Sequence, residues 1–378
     1  MTRVAFLFLG ETLLIPHLYP MLEALAAAAP EIAIDAWVAT SVHEGLVARW
    51  SAALPSVRVR RVPGFRRVEG VRAGDNPPLP AKLPMLARLV PHLFRTRAVV
   101  CVEQTSLWIP TMLPMLPTRF IKSSHGVGSM SARDDRRRRS PWLTMVPSER
   151  ERATYLSRGM PPQRIVATGY VKAGFRQRTM TRPAFAEERP VLLYTPHWQR
   201  HRSSWWNWGE AVVRMLAQQR SFNVILAPHQ RLAERDPGVR DMLGGVAALP
   251  HVHVDLDSFA TVDGSYTAAA DLYLGDTSSQ VIEFLQRPRP CVFLNPGGVE
   301  WRGDPAYAQW GAGEVVDTLD FLPDSLARAQ AEHPRYAAWQ SAFAAAQLGP
   351  TDGLAPERAA RHILAAVRDH ASNNDRTR

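Results

Sequence analysis

The sequence predicts an α/β chain built of two doubly wound parallel-sheet domains. Short apolar runs bounded by turn residues alternate with helical stretches, the pattern of βαβ units. The runs are continuously hydrophobic rather than alternating, as strands covered by helices on both faces are. The alternation stops at a polar, proline-containing segment over 176–190 and then restarts. Two Rossmann-like domains, joined by a linker and facing a central cleft, follow from these observations. The length of 378 residues agrees, at about 150 residues per domain. The expected boundaries are 1–178 for the first domain, 190–353 for the second and 354–378 for a closing helix and tail.

In the first half the runs 4–9, 32–38, 57–62, 98–103, 120–123, 144–146 and 165–168 are the strands. The stretches 18–29, 43–53, 83–94 and 149–158 are the helices between them. The opening run follows one arginine, as a signal peptide would. Gly10, Glu11 and Pro16 interrupt it, however, and no small-residue cleavage site follows. It reads as a core strand. No apolar run approaches the ~18 residues of a membrane span, so a cytoplasmic chain is expected. In the second half the strands fall at 191–195, 222–227, 252–256, 271–274 and 291–294, with helices at 206–220, 279–286 and 325–347. A last helix, 356–369, has Ala360, Ile363, Leu364 and Val367 at helical spacing, and a polar tail over 373–378 is expected to fray.

Hydrophobic residues make up 46% and charged residues 21%, enough to bury ordinary soluble cores. The net charge is +10, and of 45 Lys plus Arg only Lys82, Lys122 and Lys172 are lysine, so 42 are arginine. With the many Ala and Pro, part of that excess reads as the codon bias of a GC-rich genome, yet the planar guanidinium still binds phosphate with two parallel bonds. Two cysteines exclude a disulfide scaffold and a Cys-rich zinc site; Cys101 and Cys291 sit in apolar runs and read as buried hydrophobes. There is no HExxH, no CxxC and no G-x-S-x-G, which sets aside zinc proteases, dithiol redox enzymes and serine hydrolases. Asp255 and Asp257 form a D-x-D inside a strand-like run, a weak metal signal, and no metal is expected.

In open parallel sheets, ligands bind beyond the carboxyl ends of the strands. Five polar segments fall at those ends. Ser123-Ser124-His125-Gly126-Val127-Gly128-Ser129 follows a strand and offers an imidazole suited to general-base work beside a sharp turn. Gly275-Asp276-Thr277-Ser278-Ser279 opens a helix, where hydroxyls beside free N–H groups suit phosphate; a plain N-cap is the competing reading. Glu283, one turn further on, is placed to hold a ribose diol or is simply a helix glutamate. Ala227-Pro228-His229-Gln230-Arg231 offers His229 and Arg231 to a phosphate. Thr195, His197, Trp198 and Arg200 end the first strand of the second half, and Thr168-Gly169-Tyr170 ends the last strand of the first. One such segment is unremarkable on its own; five at strand ends in both halves are better explained by a site for an anionic ligand.

The ordered set His-Gly, Thr-Gly-Tyr, Tyr-Thr-Pro-x-Trp, Pro-His and Asp-x-Ser-Ser-x-x-x-Glu resembles the CDP-glycerol glycerophosphotransferases, over roughly 123–296. These polymerise or prime wall teichoic acids and related capsule polymers and have the two-domain GT-B fold. The resemblance implies His125 as general base for the acceptor hydroxyl and His229 at the donor pyrophosphate. It further implies Ser278 and Ser279 on the phosphates and Glu283 in the place of a family Asp near the ribose. Gly126, Thr195, Arg231, Asp276 and Thr277 complete the expected donor site. Gly169, Tyr170, His197, Trp198 and Arg200 are acceptor-side or secondary candidates. The first domain is then the acceptor side and the second the nucleotide-donor side. The sequence departs from the family in having Ser-His-Gly-Val for Trp-His-Gly-Thr and Ala-Pro-His-Gln for Arg-Pro-His-Pro. Arg231 or Arg200 is the available replacement for the lost arginine.

The expected activity is transfer of glycerol phosphate, or another polyol phosphate, from a CDP-linked donor to a glycan or lipid-linked acceptor, with the donor a substrate and no resident cofactor. A nucleotide-sugar glycosyltransferase of the same fold is the alternative. A UDP-sugar 2-epimerase ranks below it, because Ser-Ser stands where a Gly-Gly pair would be. A basic nucleic-acid-binding protein is the alternative of another class, but aromatics do not interleave the run Arg136, Arg137, Arg138, Arg139, and Asp134 and Asp135 precede it. Between residues 119 and 152 nine basic residues face four acidic ones, so half of the net charge surrounds the His125 segment. The arginine run would suit an anionic inner-membrane surface. Trp205, Trp206 and Trp208 read equally as an acceptor groove or as core.

Overall fold

The computed structural model describes residues 2–127 and 136–375, with side chains to 368. The chain divides into two units, Met1–Gln177 with Ala346–Arg378, and Arg178–Ala345. Gly128, Ser129, Asp134 and Asp135 lie outside the described residues, as does the end of the tail.

The first unit begins β1 (Arg3–Phe8), α1 (Ile15–Ala28), β2 (Ala33–Thr40), α2 (Ser41–Trp50), β3 (Val57–Arg66) and α3 (Lys82–Leu93). It continues β4 (Ala98–Cys101), α4 (Trp108–Met112), β5 (Arg119–Ser123), β6 (Leu143–Val146), α5 (Glu149–Ser157) and β7 (Ile165–Ala167). Its sheet runs β3-β2-β1-β4-β5-β6-β7 with all neighbours parallel. Both faces of β1 and β2 are buried, the reason those runs carry no alternation. On α3 the buried residues Met85, Leu86, Leu89 and Leu93 form one stripe against Ala5, Leu7, Val99 and Phe120.

The second unit repeats the plan: β8 (Val191–Thr195), α6 (Trp205–Gln218), β9 (Asn223–Leu226), α7 (Gln230–Arg235), α8 (Gly238–Gly244), β10 (Val252–Val254) and α9 (Ser265–Ala269). It goes on β11 (Leu272–Gly275), α10 (Ser279–Phe284), β12 (Cys291–Leu294), β13 (Glu314–Val316), α11 (Leu322–Glu332) and α12 (Pro334–Leu348). Its sheet, also parallel, runs β10-β9-β8-β11-β12-β13. In each sheet the order reverses at one place, between β1 and β4 and between β8 and β11; a reversal of that kind opens a crevice at the strands' carboxyl ends.

The expected helix over 325–347 is two helices, because Pro334 opens a new first turn. The three-residue β13 is too short to leave a periodic signal. The closing helix α13 (Ala355–Asp375) packs along α1, and the chain past 346 belongs to the first unit. Arg119 donates to the Ala366 carbonyl at 2.7 Å, and Arg358 Nε donates to the Thr168 carbonyl at 2.6 Å. Both cysteines are buried and unpaired. No helix among the described residues is long and apolar enough to cross a membrane.

Candidate functional site

Each unit presents its polar groups at the carboxyl edge of its sheet. In the first unit β5 ends at Ser123 and leads to Ser124, His125 and Gly126, the last at φ +72°. The Val102 carbonyl beyond β4 faces the His125 ring and, as an acceptor only, favours a proton on the ring nitrogen nearest to it. Desolvation, then the Lys122 charge, pushes the His125 pKa down to about 4. The residue is open to solvent on one side, so water offsets part of that displacement, but the sign makes the imidazole neutral at pH 7. A small cavity of ≈ 30 Å³ beside it is lined by Gln104, Lys122, Ser124, Arg138 and Tyr155.

The sequence placed half of the net charge around this segment but named neither Lys122 nor Glu151 as part of it. Desolvation pushes Lys122 down to about 8. Arg138 Nη1 donates to the Tyr155 hydroxyl at 3.2 Å, and Ser124 Oγ donates to Glu151 Oε1 at 2.9 Å. Burial holds the Glu151 carboxyl above its usual range. His17, buried in the first turn of α1, packs edge-on against Tyr170 with ring centres 5.6 Å apart. Burial pushes His17 well down, and the charges of Lys172, His125 and Lys122 push the same way, placing all four groups in one field.

The Thr168-Gly169-Tyr170 segment serves packing. Gly169 has φ +91°, and a Cβ there would lie 2.7 Å from Arg358 Nη2 and 2.9 Å from Ala355 Cβ. Tyr170 is buried on His17.

In the second unit Thr195 and Gly275 are register partners across the β8–β11 reversal. The loops after them therefore share one crevice. Asp276, fully buried, accepts the His197 N–H at 2.8 Å and the Ser204 N–H at 2.9 Å, so its carboxylate clamps the loop that carries His197, Trp198 and Arg200. Burial raises Asp276 to about 7. Thr277 also faces inward, donating to the Ala306 carbonyl at 2.7 Å and accepting from Gln309. Thr195 Oγ1 lies 2.9 Å from the Tyr273 hydroxyl, and Glu283 is buried within α10. The outward members are Ser278 and Ser279. Ser278 Oγ accepts the Gln280 N–H at 3.2 Å as N-cap, which leaves its own proton free to donate. At six residues α10 is too short for a full macrodipole, so local N–H and O–H donors carry any anion.

His229 is the N-cap of α7, its Nδ1 accepting the Arg231 N–H at 3.2 Å. Its ring meets that of His197 edge-on at 5.7 Å. His197 Nδ1 accepts the Gln199 N–H at 3.1 Å. Desolvation pushes His229 to about 3 and His197 to about 4. Neutral imidazoles that accept at Nδ1 carry their proton on Nε2. Arg231 and Arg235 both lie over the Trp198 ring, each at 5.3 Å, and Arg200 lies over Trp206 at 4.1 Å. Trp205 is core, its indole N–H donating to Asp236 at 2.9 Å, with Trp206 and Trp208 packed against the same cluster. The D-x-D is committed elsewhere: Asp257 takes both arms of Arg240, and Asp255 accepts the Ser258 N–H at 2.9 Å.

No protein-family model matches the chain, and no curated protein sequence matches it. Solved structures do. A UDP-N-acetylglucosamine 2-epimerase is similar over 96% of this chain and 95% of its own, at 14% identity and a TM-score of 0.61. The wall teichoic acid polymerase TagF, determined with CDPG, is similar over 98% of this chain and 90% of its own, at 12% identity and 0.60. Anabaena HepE, in complex with UDP-glucose, is similar over 97% of this chain and all of its own, at 12% identity and 0.54. At these identities the likeness establishes a GT-B-like fold of two Rossmann-like domains.

Proposed function

We propose that the protein is a transferase that takes a nucleotide-diphospho donor on its second unit and an acceptor hydroxyl on its first. The leading version moves glycerol phosphate, or another polyol phosphate, from a CDP-linked donor to a glycan or lipid-linked acceptor of a cell-surface polymer. The observation that carries this reading is the set of histidine tautomers. The Val102 carbonyl favours a proton on one nitrogen of His125 and leaves the lone pair of the other to accept one. Arg231 and Gln199 occupy Nδ1 of His229 and His197, turning both into Nε2–H donors. One histidine is thus set to take a proton, and two are set to hold an oxyanion.

In the reaction the acceptor oxygen bonds to the β-phosphorus while His125 removes its proton. The bond from that phosphorus to the bridging oxygen breaks, and CMP leaves with the electron pair. His229, His197, Ser278 and Ser279 donate to the pyrophosphate oxygens, and Arg231 adds positive charge; such chemistry is mainly positioning and electrostatics. The donor is a substrate, and the reading calls for no resident cofactor.

The test is incubation with CDP-glycerol and with UDP-, GDP- and CMP-sugars, identifying the nucleotide released. CMP from CDP-glycerol is expected. His125→Ala should cut transfer by about 10²–10⁴-fold while donor affinity changes little; turnover at the wild-type rate would sink the base assignment. A second reading, a nucleotide-sugar glycosyltransferase, draws support from the fold likeness to HepE, whose structure holds UDP-glucose. Release of UDP rather than CMP would select it.

A further inference from the structure

A larger recess lies at the opposite, amino-terminal edge of the first unit's sheet. Arg119 and Phe120 open β5, Trp142 immediately precedes β6, and Arg164 immediately precedes β7; together they help line a cavity of ≈ 460 Å³. Four of its lining residues are arginines, Arg119, Arg136, Arg139 and Arg164, and none is acidic. The rest of the wall is largely apolar, from Leu113, Leu116, Phe120, Trp142 and the prolines between them.

The rim is apolar and exposed. Of the nine large hydrophobic side chains exposed among the described residues, four, Trp108, Met112, Leu113 and Met115, occupy α4 and the turn after it. Met115 is 90% exposed and Met112 69%. Phe94 is a fifth: Thr118, in the cavity wall, donates to the carbonyl of its neighbour Leu93 at 2.9 Å. Single exposed hydrophobes are ordinary, but a cluster beside a basic recess marks a binding surface. The arginine turn is tied to this rim, since Arg137 lies over the Trp108 ring at 4.9 Å.

We propose that this edge docks the chain on an anionic lipid bilayer, with Met112, Leu113 and Met115 entering the interface and the arginines meeting lipid phosphates. Stable peripheral attachment takes two signals, an apolar one and a basic one, and both are present here. A free phosphate would leave the exposed methionines without a role, and so would a nucleic-acid backbone. The surface belongs to the first unit alone and does not depend on the transferase reading. Given that reading, one turn links the two recesses: Arg138 faces His125, while Arg136 and Arg139 line the bilayer side.

The test is flotation of the full chain with vesicles of phosphatidylcholine alone and of phosphatidylcholine with phosphatidylglycerol, at low and high salt. The chain should float with the anionic vesicles only, and less at high salt. Arg136→Ser with Arg139→Ser should weaken binding by about fivefold per charge removed. Met112→Ser with Met115→Ser should weaken it about tenfold at either salt. These two side chains are exposed, so the fold is preserved. No flotation, equal flotation with neutral vesicles, or wild-type binding by both double variants would overturn the proposal. So would salt-sensitive binding to duplex DNA that the methionine pair leaves unchanged, in the absence of vesicle binding. Nucleotide release with a soluble acceptor and no vesicles reports on the transferase reading separately.

Discussion

The three lysines are the residues that the sequence marked most plainly and that motif reading passed over. Beside 42 arginines, Lys82, Lys122 and Lys172 are the only ones, and all three sit at the carboxyl edge of the first sheet. Lys82 pairs with Glu103 at 2.9 Å, Lys122 lies in the His125 recess, and Lys172 acts on His17. A compact ammonium fits where the guanidinium fork is too wide, so residue type alone was a signal. His43 was invisible for the opposite reason: a histidine in a helical stretch has no motif. It is fully buried, with Nδ1 2.8 Å from Thr40 Oγ1 and Nε2 3.0 Å from the Gly10 carbonyl. Burial pushes it down to about 4. A histidine whose folded pKa is lowered contributes stability above pH 6.5 that is lost as pH falls toward 4. The loss at this one site amounts to roughly 3 kcal/mol at about 1.4 kcal/mol per pH unit. Denaturant midpoints measured across that window should fall more steeply for the wild type than for His43→Gln. Parallel curves would show that His43 titrates alike in both states.

At the scale of elements, the strands were legible because buried parallel strands leave continuous apolar runs. What followed each strand was only half legible. Of the five strand-end segments, Thr168-Gly169-Tyr170 holds α13, and Asp276 and Thr277 face protein groups, because a sequence does not say which way a loop side chain turns. Nor could it show that α13 returns to the first unit, since amphipathic spacing names a buried face but not its partner. Two glycines make that return. Gly349, at φ +71°, has its Cβ direction 2.3 Å from the Pro147 carbonyl oxygen and 3.4 Å from the Cα of Gly169. Backbone oxygen cannot move aside as a side chain can. Gly349→Ala should therefore destabilise the first unit by about 2–4 kcal/mol, from left-handed strain and overpacking together. Gly169→Ala should cost less. Its shortest contact, Arg358 Nη2, is the flexible end of a side chain, and Ala355 Cβ, at 2.9 Å, is much less tight than the backbone oxygen 2.3 Å from the Gly349 Cβ direction. Thermal melts of both variants check the order; Gly169→Ala as the worse of the two would contradict it.

At the scale of the whole molecule, the two compact units each bury a core of their own. The fold class was written in the sequence twice, once on each side of the 176–190 break. The proposed donor groups all belong to the second unit, whereas Gly349, His43 and the lysines belong to the first. Calorimetry should then resolve two transitions that answer to different perturbations. Gly349→Ala should lower only the transition of the first unit. CDP at about 100 times its dissociation constant adds ~2.7 kcal/mol to whatever binds it. For a unit of this size each kcal/mol is worth about 2–4 °C, so the other transition should rise by roughly 5–10 °C. CDP raising the transition that Gly349→Ala lowers would move the nucleotide to the first unit and undo the assignment of His229, Ser278 and Ser279. A shift produced equally by inorganic phosphate would reduce that edge to an unspecific anion site, because phosphate lacks the base and ribose that distinguish a nucleotide.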